Sequence, residues 1–199
     1  MYRLYGMSDS GNCYKPKLLL TQLHVPCAWV EKDTRKGETR TPDYLDMNAN
    51  GKVPLLEVTP GQYLAESNAI LCYLAEDTPY LPQDRWQRAQ VMQWLFFEQY
   101  SHEPYLAVAR FIMKSLPSDH ARRAELPRLH ERGHQTLTVM EQHLVHHAFF
   151  AGEQYSIADI ALYAYTHVAN EGGFDLSRYT AVRGWLEKVR SQPGYVAMT

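Results

Sequence analysis

The spacing of apolar positions changes once along the chain, near residue 80. Before that point short alternating runs interleave with helix-like stretches; after it apolar residues recur every three or four positions. Alternation predicts strands at Tyr2–Met7 and Cys27–Glu31, the second entered through Val25-Pro26. Tyr14–Leu23 reads as a helix with Leu18, Leu19 and Leu20 on its buried side, and Pro42–Met47 as a short helix or turn. Val53–Val58 and Gln62–Ala65 flank Thr59-Pro60-Gly61, whose turn chemistry predicts a hairpin. Ser67–Glu76 is then a helix carrying Ile70, Leu71 and Leu74 behind an N-capping Ser67. The order βαβαββα gives an α+β unit over residues 1–77.

Residues 78–85, Thr-Pro-Tyr-Leu-Pro-Gln-Asp-Arg, interrupt the pattern twice with proline and read as a linker. No strand pattern follows, so residues 86–199 form an all-α domain. Trp86–Leu116 predicts one long helix kinked at Pro104 by the loss of a backbone donor. Leu126, Leu129, Gly133, Leu137, Met140 and Leu144 make a 3-4 stripe along a second helix. Ser156-Ile157-Ala158-Asp159 is a capping-box variant, with Asp for Glu, opening a third helix at Ile157–Ala169. Thr180–Gln192 supplies a fourth.

Charge then removes several classes of function. The formal net charge is −2 with no basic excess in either half, which argues against a nucleic-acid or anionic-membrane partner. No apolar run approaches the roughly 18 residues needed to cross a bilayer, and Met1–Gly6 alternates without the order of a secretory signal. Three cysteines, Cys13, Cys27 and Cys72, are an odd number without CxxC spacing, so the expected setting is reducing cytoplasm.

Three short segments carry candidate chemistry. In Ser8-Asp9-Ser10-Gly11-Asn12-Cys13, hydroxyl and amide groups stand where a helix begins, beside a thiol. Unpaired N–H groups there favour an anion, and a hydroxyl there can donate to a ligand thiolate; a plain cap is the simpler use of Ser10 or Asn12. In Gly51-Lys52-Val53-Pro54, a proline at a strand opening can be cis and would leave the Val53 backbone to pair with a peptide-like ligand, with Lys52 for a carboxylate. In Glu66-Ser67-Asn68, Ser67 and the following N–H groups suit a carboxylate while Glu66 suits an ammonium, the two ends of an α-amino acid head group. His130-Glu131-Arg132-Gly133-His134 also matches a zinc spacing, H-E-x-x-H. There Gly133 lies on the apolar stripe and no third-ligand motif follows, so the segment reads as a packing helix without a metal.

Taken in order, these groups resemble the glutathione S-transferase superfamily. Gly-Lys-Val-Pro followed twelve residues later by Glu-Ser, and Ser-Ile-Ala-Asp before an inner helix, carry the resemblance over essentially the whole chain. It implies a thioredoxin-like N-terminal domain, an all-helical C-terminal domain, a homodimer and glutathione as co-substrate. Val53 ahead of a cis Pro54 would then pair with the cysteinyl backbone, Glu66 and Ser67 would hold the γ-glutamyl end, and Lys52 with Arg40 the glycine carboxylate. The Ser-Gly-Asn turn looks most like serine-dependent bacterial, theta-like and nu-like members, giving Ser10 and then Asn12 as thiolate-stabilising residues. Tyr5, in the first strand, is the poorer match to the tyrosine of other classes. Cys13 is the alternative, as in cysteine-dependent relatives, though Tyr14-Lys15 follows it where omega members have proline and an aromatic. Tyr100, His102, Glu103, Tyr105 and Arg110, around Pro104, would line a second-substrate pocket between the domains. The expected activity is attack of the glutathione thiolate on a small electrophile or a disulfide. The alternatives are a non-catalytic binding protein on the same scaffold and a glutathione-dependent isomerase.

Overall fold

The computed structural model describes residues 1–198. They divide into two compact units: residues 1–78 with 193–198, and residues 79–192. The helical domain expected over 86–199 therefore ends earlier, because the last residues join the first unit. There the buried Tyr14 hydroxyl donates to the Val196 carbonyl at 2.7 Å.

The first unit runs β1 (Tyr2–Gly6), α1 (Gly11–Gln22), β2 (Cys27–Glu31), α2 (Pro42–Met47), β3 (Leu55–Thr59), β4 (Gln62–Ala65) and α3 (Ser67–Ala75). The four strands make one sheet in the order β2-β1-β3-β4. β1 and β2 are parallel, and the other two pairs are antiparallel. Opposite residues in the β1–β3 register share a face, so the pairs Leu4–Leu56 and Tyr5–Leu55 point to opposite sides. Tyr5 and Leu55 join Tyr44 of α2 in one cluster, with Val30, Met47 and Tyr63 packed around it. Leu4 and Leu56 are fully buried on the other face, and α1 and α3, which pack on one another, bury Leu18, Leu19, Ile70 and Leu71. This is the α+β unit that the order of elements predicts and the thioredoxin-like arrangement that the resemblance implies.

Two boundaries move for physical reasons. β3 begins at Leu55 rather than Val53, because Pro54 has no N–H to give to the ladder. Ser67 does not cap α3. Glu66 holds the N-cap position at φ 68°, ψ 115°, with no side-chain cap, and Ser67 is the first helical residue.

The second unit is helical: α4 (Arg85–Phe97), α5 (Glu103–Ser115), α6 (Leu126–Leu144), α7 (Ile157–Thr166) and α8 (Thr180–Arg190). The long helix predicted over 86–116 is interrupted by one π-helical turn, Glu98–His102, and Pro104 stands in the first turn of α5. There a missing N–H costs little, whereas mid-helix it would leave a carbonyl unmatched. All ten residues of α7 are buried, so this helix is the core on which the unit packs. Its start is the expected capping box. Asp159 accepts from the Ser156 N–H at 2.9 Å and hydroxyl at 3.2 Å, and also from the Phe150 N–H at 3.1 Å and the Trp185 indole at 2.9 Å.

Asp159 has no exposed surface, so truncating it leaves several buried donors unmatched. Asp159→Ala is expected to lower unfolding stability by about 3–5 kcal/mol in denaturant titrations. Burial pushes its carboxyl up to about 6, against the pull of the Trp185, Phe150 and Ser156 donors. The folded state thus binds this proton more tightly than the unfolded chain. The contribution of Asp159 is greatest below its unfolded value and declines as pH rises through about 6. Thermal melts at pH 5 and pH 8 should show that slope in the native protein and lose it in Asp159→Asn.

Candidate functional site

The turn after β1 is built by a helix start. Ser10 is the N-cap of α1 in extended conformation, and its Oγ accepts from the Cys13 N–H at 3.4 Å. That bond uses a lone pair, and the hydroxyl proton, which faces the Cys13 sulfur, can turn to another acceptor. Ahead of it, the Ser8 N–H and hydroxyl donate to Glu31 at 2.9 and 2.7 Å, which ties the turn to the end of β2.

Asn12, in the first turn of α1, meets Ser67, in the first turn of α3: Ser67 Oγ donates to Asn12 Oδ1 at 3.5 Å. The strand-to-helix junction that presents Ser67 is bent. Glu66 is exposed, and its positive φ lies with a ψ outside the left-handed helical basin, a conformation that costs energy and is common where function dictates geometry. Ser67 itself is 5% exposed.

The loop before β3 gathers the third group. The Lys52 carbonyl accepts from the Tyr44 hydroxyl at 2.8 Å and from Asn48 Nδ2 at 2.9 Å, which fixes the backbone while the Lys52 side chain stays exposed. Gly51 has φ 60°, and a Cβ there would lie 2.6 Å from the Arg40 guanidinium. Arg40 therefore packs across the loop at its glycine and places a second cation beside Lys52. Among the described residues none hydrogen-bonds to the Val53 backbone, so that N–H and C=O remain open just ahead of the cis peptide.

The chain matches the model for the N-terminal domain of glutathione S-transferases over residues 1–76 and that for their C-terminal domain over residues 123–188. It is 31% identical to the disulfide-bond oxidoreductase YfcG of Escherichia coli, over 97% of this chain and 92% of that one. The chain belongs to the glutathione S-transferase family. A solved glutathione S-transferase from Pseudomonas fluorescens Pf-5 shares 53% identity and superposes with a TM-score of 0.95, covering 99% of this chain and 98% of that one. A more distant family member from the same organism, solved with two glutathione molecules bound, has 25% identity and a TM-score of 0.85, with 97% and 89% covered.

In this family member Cys13 is fully buried and accepts from the Met7 N–H at 3.4 Å. Burial pushes its thiol up to about 11, so it is protonated at neutral pH and a poor nucleophile. Tyr5 is also buried, and its hydroxyl donates to Glu57 at 3.3 Å, a carboxylate that Arg3 also holds at 2.7 Å. Its proton is already committed inside the sheet.

The residues expected to line a second-substrate pocket scatter within the helical unit. Tyr100 is 84% exposed on the π turn, and Tyr105 is half-buried. His102 has no exposed surface; Nε2 lies 2.8 Å from Thr166 Oγ1, whose own proton goes to the Leu162 carbonyl. The imidazole is thus the donor in a buried bond, which removes His102 from any pocket wall. Arg110 is buried too and donates to Glu171 at 2.8 Å. Against the burial of Glu171, Lys114 and Arg110 hold its carboxyl below the usual range, so the Arg110 charge is already matched.

The zinc-like spacing is likewise absorbed by packing. A Cβ on Gly133 would strike the Phe174 ring, so α6 needs glycine there to pack closely. His130 Nε2 donates to the Gly172 carbonyl at 2.9 Å, and His134 Nδ1 meets the Tyr179 hydroxyl at 3.0 Å. Among the described residues no group of three or more His, Cys, Asp or Glu is placed to hold a metal ion.

One site residue escapes the sequence reading altogether. Lys15 has no exposed surface and donates to Ser67 Oγ at 3.3 Å and to Asn68 Oδ1 at 3.5 Å. The available signal was a lysine between Tyr14 and Pro16 on the helix that carries Leu18 and Leu19, where a lysine is out of place.

The state of Cys13 is open to a direct check. Iodoacetamide at pH 8 should leave Cys13 unmodified in the folded protein and alkylate it fully after denaturation, as read by peptide mass spectrometry.

Proposed function

We propose that this protein is a serine-dependent glutathione transferase, and the observation that carries the reading is the meeting of Asn12 and Ser67 at the two adjacent helix starts. Ser67 Oγ and the first N–H groups of α3 take the γ-glutamyl carboxylate, and the exposed Glu66 takes its ammonium. The open Val53 backbone pairs with the cysteinyl residue, and Lys52 with Arg40 meets the glycine carboxylate. The cysteinyl sulfur then lies at the start of α1. There the Ser10 hydroxyl donates to it, assisted by Asn12 and the positive end of the helix, which favours the thiolate.

Attack of that thiolate on an electrophilic carbon forms an S–C bond, and the leaving group departs with the electron pair. The likeness to YfcG favours a second use of the same group. Attack on a disulfide forms a mixed disulfide with glutathione and expels a thiolate, which takes up a proton; a second glutathione resolves the mixed product. In both reactions the nucleophile is glutathione's own sulfur, which suits a protein whose Cys13 is sealed from solvent. We place the protein in the cytoplasm, where such a thiol stays reduced; no helix among the described residues is long and apolar enough to cross a membrane.

We further propose a homodimer. Trp86, Phe96 and Tyr100 are 69%, 70% and 84% exposed along α4 and the turn after it, a row of large apolar rings that a second copy would cover.

The deciding measurement is glutathione binding, followed by turnover of 1-chloro-2,4-dinitrobenzene and of hydroxyethyl disulfide. No binding at millimolar glutathione would sink the enzyme reading; binding without turnover of any acceptor would leave a ligand-binding member. Ser10→Ala is expected to lower kcat roughly ten- to hundred-fold with a smaller change in KM, while Cys13→Ala keeps activity. Loss in the cysteine variant alone would reverse the assignment. Light scattering should give twice the chain mass for the native protein and a shift towards monomer for Phe96→Glu.

A further inference from the structure

A serine hydroxyl has two lone pairs and one proton, so it can greet a ligand as donor or as acceptor. In this protein that choice is made from behind. The Lys15 ammonium, an obligate donor with no exposed surface, sits 3.3 Å from Ser67 Oγ and occupies one of its two lone pairs. The serine proton points away from that charge, to Asn12 Oδ1 at 3.5 Å. The Asn68 carbonyl, 3.5 Å from the same ammonium, turns the first turn of α3 toward α1. The result is a directed relay from Lys15 N–H through Ser67 Oγ–H to an acceptor. A buried positive charge stands behind the hydroxyl, where little water screens it.

We propose that Lys15 is a positioning residue that fixes Ser67 as a hydrogen-bond donor and thereby selects a ligand carrying a carboxylate at that point. The assignment rests on the reading of Ser67 as the γ-glutamyl carboxylate site. Lys15 does not touch the ligand; it acts through the hydroxyl it polarises. A carboxylate accepts the proton now given to Asn12 and gains the field of the ammonium. A neutral or donating group in its place would gain nothing from the ammonium's field and would compete with Lys15 for the hydroxyl's lone pairs.

A lysine that merely stapled α1 to α3 would support every ligand equally, and this separates the two roles. The test uses two ligands: S-methylglutathione, and its analogue with 4-aminobutyryl in place of γ-glutamyl, which lacks only the α-carboxylate. Titration calorimetry on the native protein should show the carboxylate ligand binding roughly a hundred-fold more tightly. Lys15→Met should cut that preference to about ten-fold or less by weakening the carboxylate ligand alone, and Lys15→Arg should keep most of it. Equal weakening of both ligands by Lys15→Met would overturn the proposal.

A second measurement does not depend on the folding of a variant. In the native protein the Lys15 ammonium nitrogen resonance should shift on adding S-methylglutathione and stay put with the analogue; the same response to both would also overturn it. Failure of the native protein to bind S-methylglutathione at millimolar concentration is a separate result. It would overturn the glutathione reading itself, and this assignment with it.

Discussion

The first unit depends on a polar seam in an apolar place: Lys15, Ser67, Asn68 and Asn12, where α1 packs on α3. Burying an ammonium is costly unless its donors are matched, so the matching groups must stand at fixed positions. Apolar packing by Leu18, Leu19, Ile70 and Leu71 holds the helices together but tolerates sliding and rotation. Directional bonds from Lys15 do not. They set the rotation of both helices at once, and since both begin at the same end of the sheet, after β1 and β4, they align two sets of open N–H groups side by side. The candidate chemistry of Ser10, Asn12 and Ser67 inherits its geometry from that alignment.

The helical unit solves a comparable problem differently. Its central helix α7 is buried on every side, so no amphipathic stripe sets its orientation. Asp159 does so instead, collecting donors from its own cap, from the Phe150 backbone and from the Trp185 indole. Buried polar groups in both units thus act as registration points, with the apolar residues around them supplying most of the cohesion.

Much of this was legible in the sequence because it depends on local rules. Strand alternation, the Thr59-Pro60-Gly61 turn and the Ser156–Asp159 box each act within a few residues, and each element appears where its pattern lies. Ser67 is not the cap that local preference predicts, because a preference for serine at caps says nothing of a residue ahead of it that takes positive φ. The burial of His102 and the pairing of Arg110 with Glu171 also lay outside local reach, since Thr166 and Glu171 are more than sixty residues away in sequence. Lys15 is the same case: its partner Ser67 stands 52 positions on, and only the fold brings them together. A polar residue in an apolar helix was visible; its counterpart was not.

The return of residues 193–198 to the first unit bears on how the protein is made. The bond from Tyr14 to Val196 closes a span of 182 residues and joins the helix of the candidate catalytic turn to a segment that follows the whole helical unit. During synthesis, residues 1–78 leave the ribosome complete in sheet and helices but without this last segment. At about 5–20 residues per second the missing piece follows on the order of ten seconds later. Until then α1 lacks one of its anchors, so the first unit is completed only after the helical unit has been made.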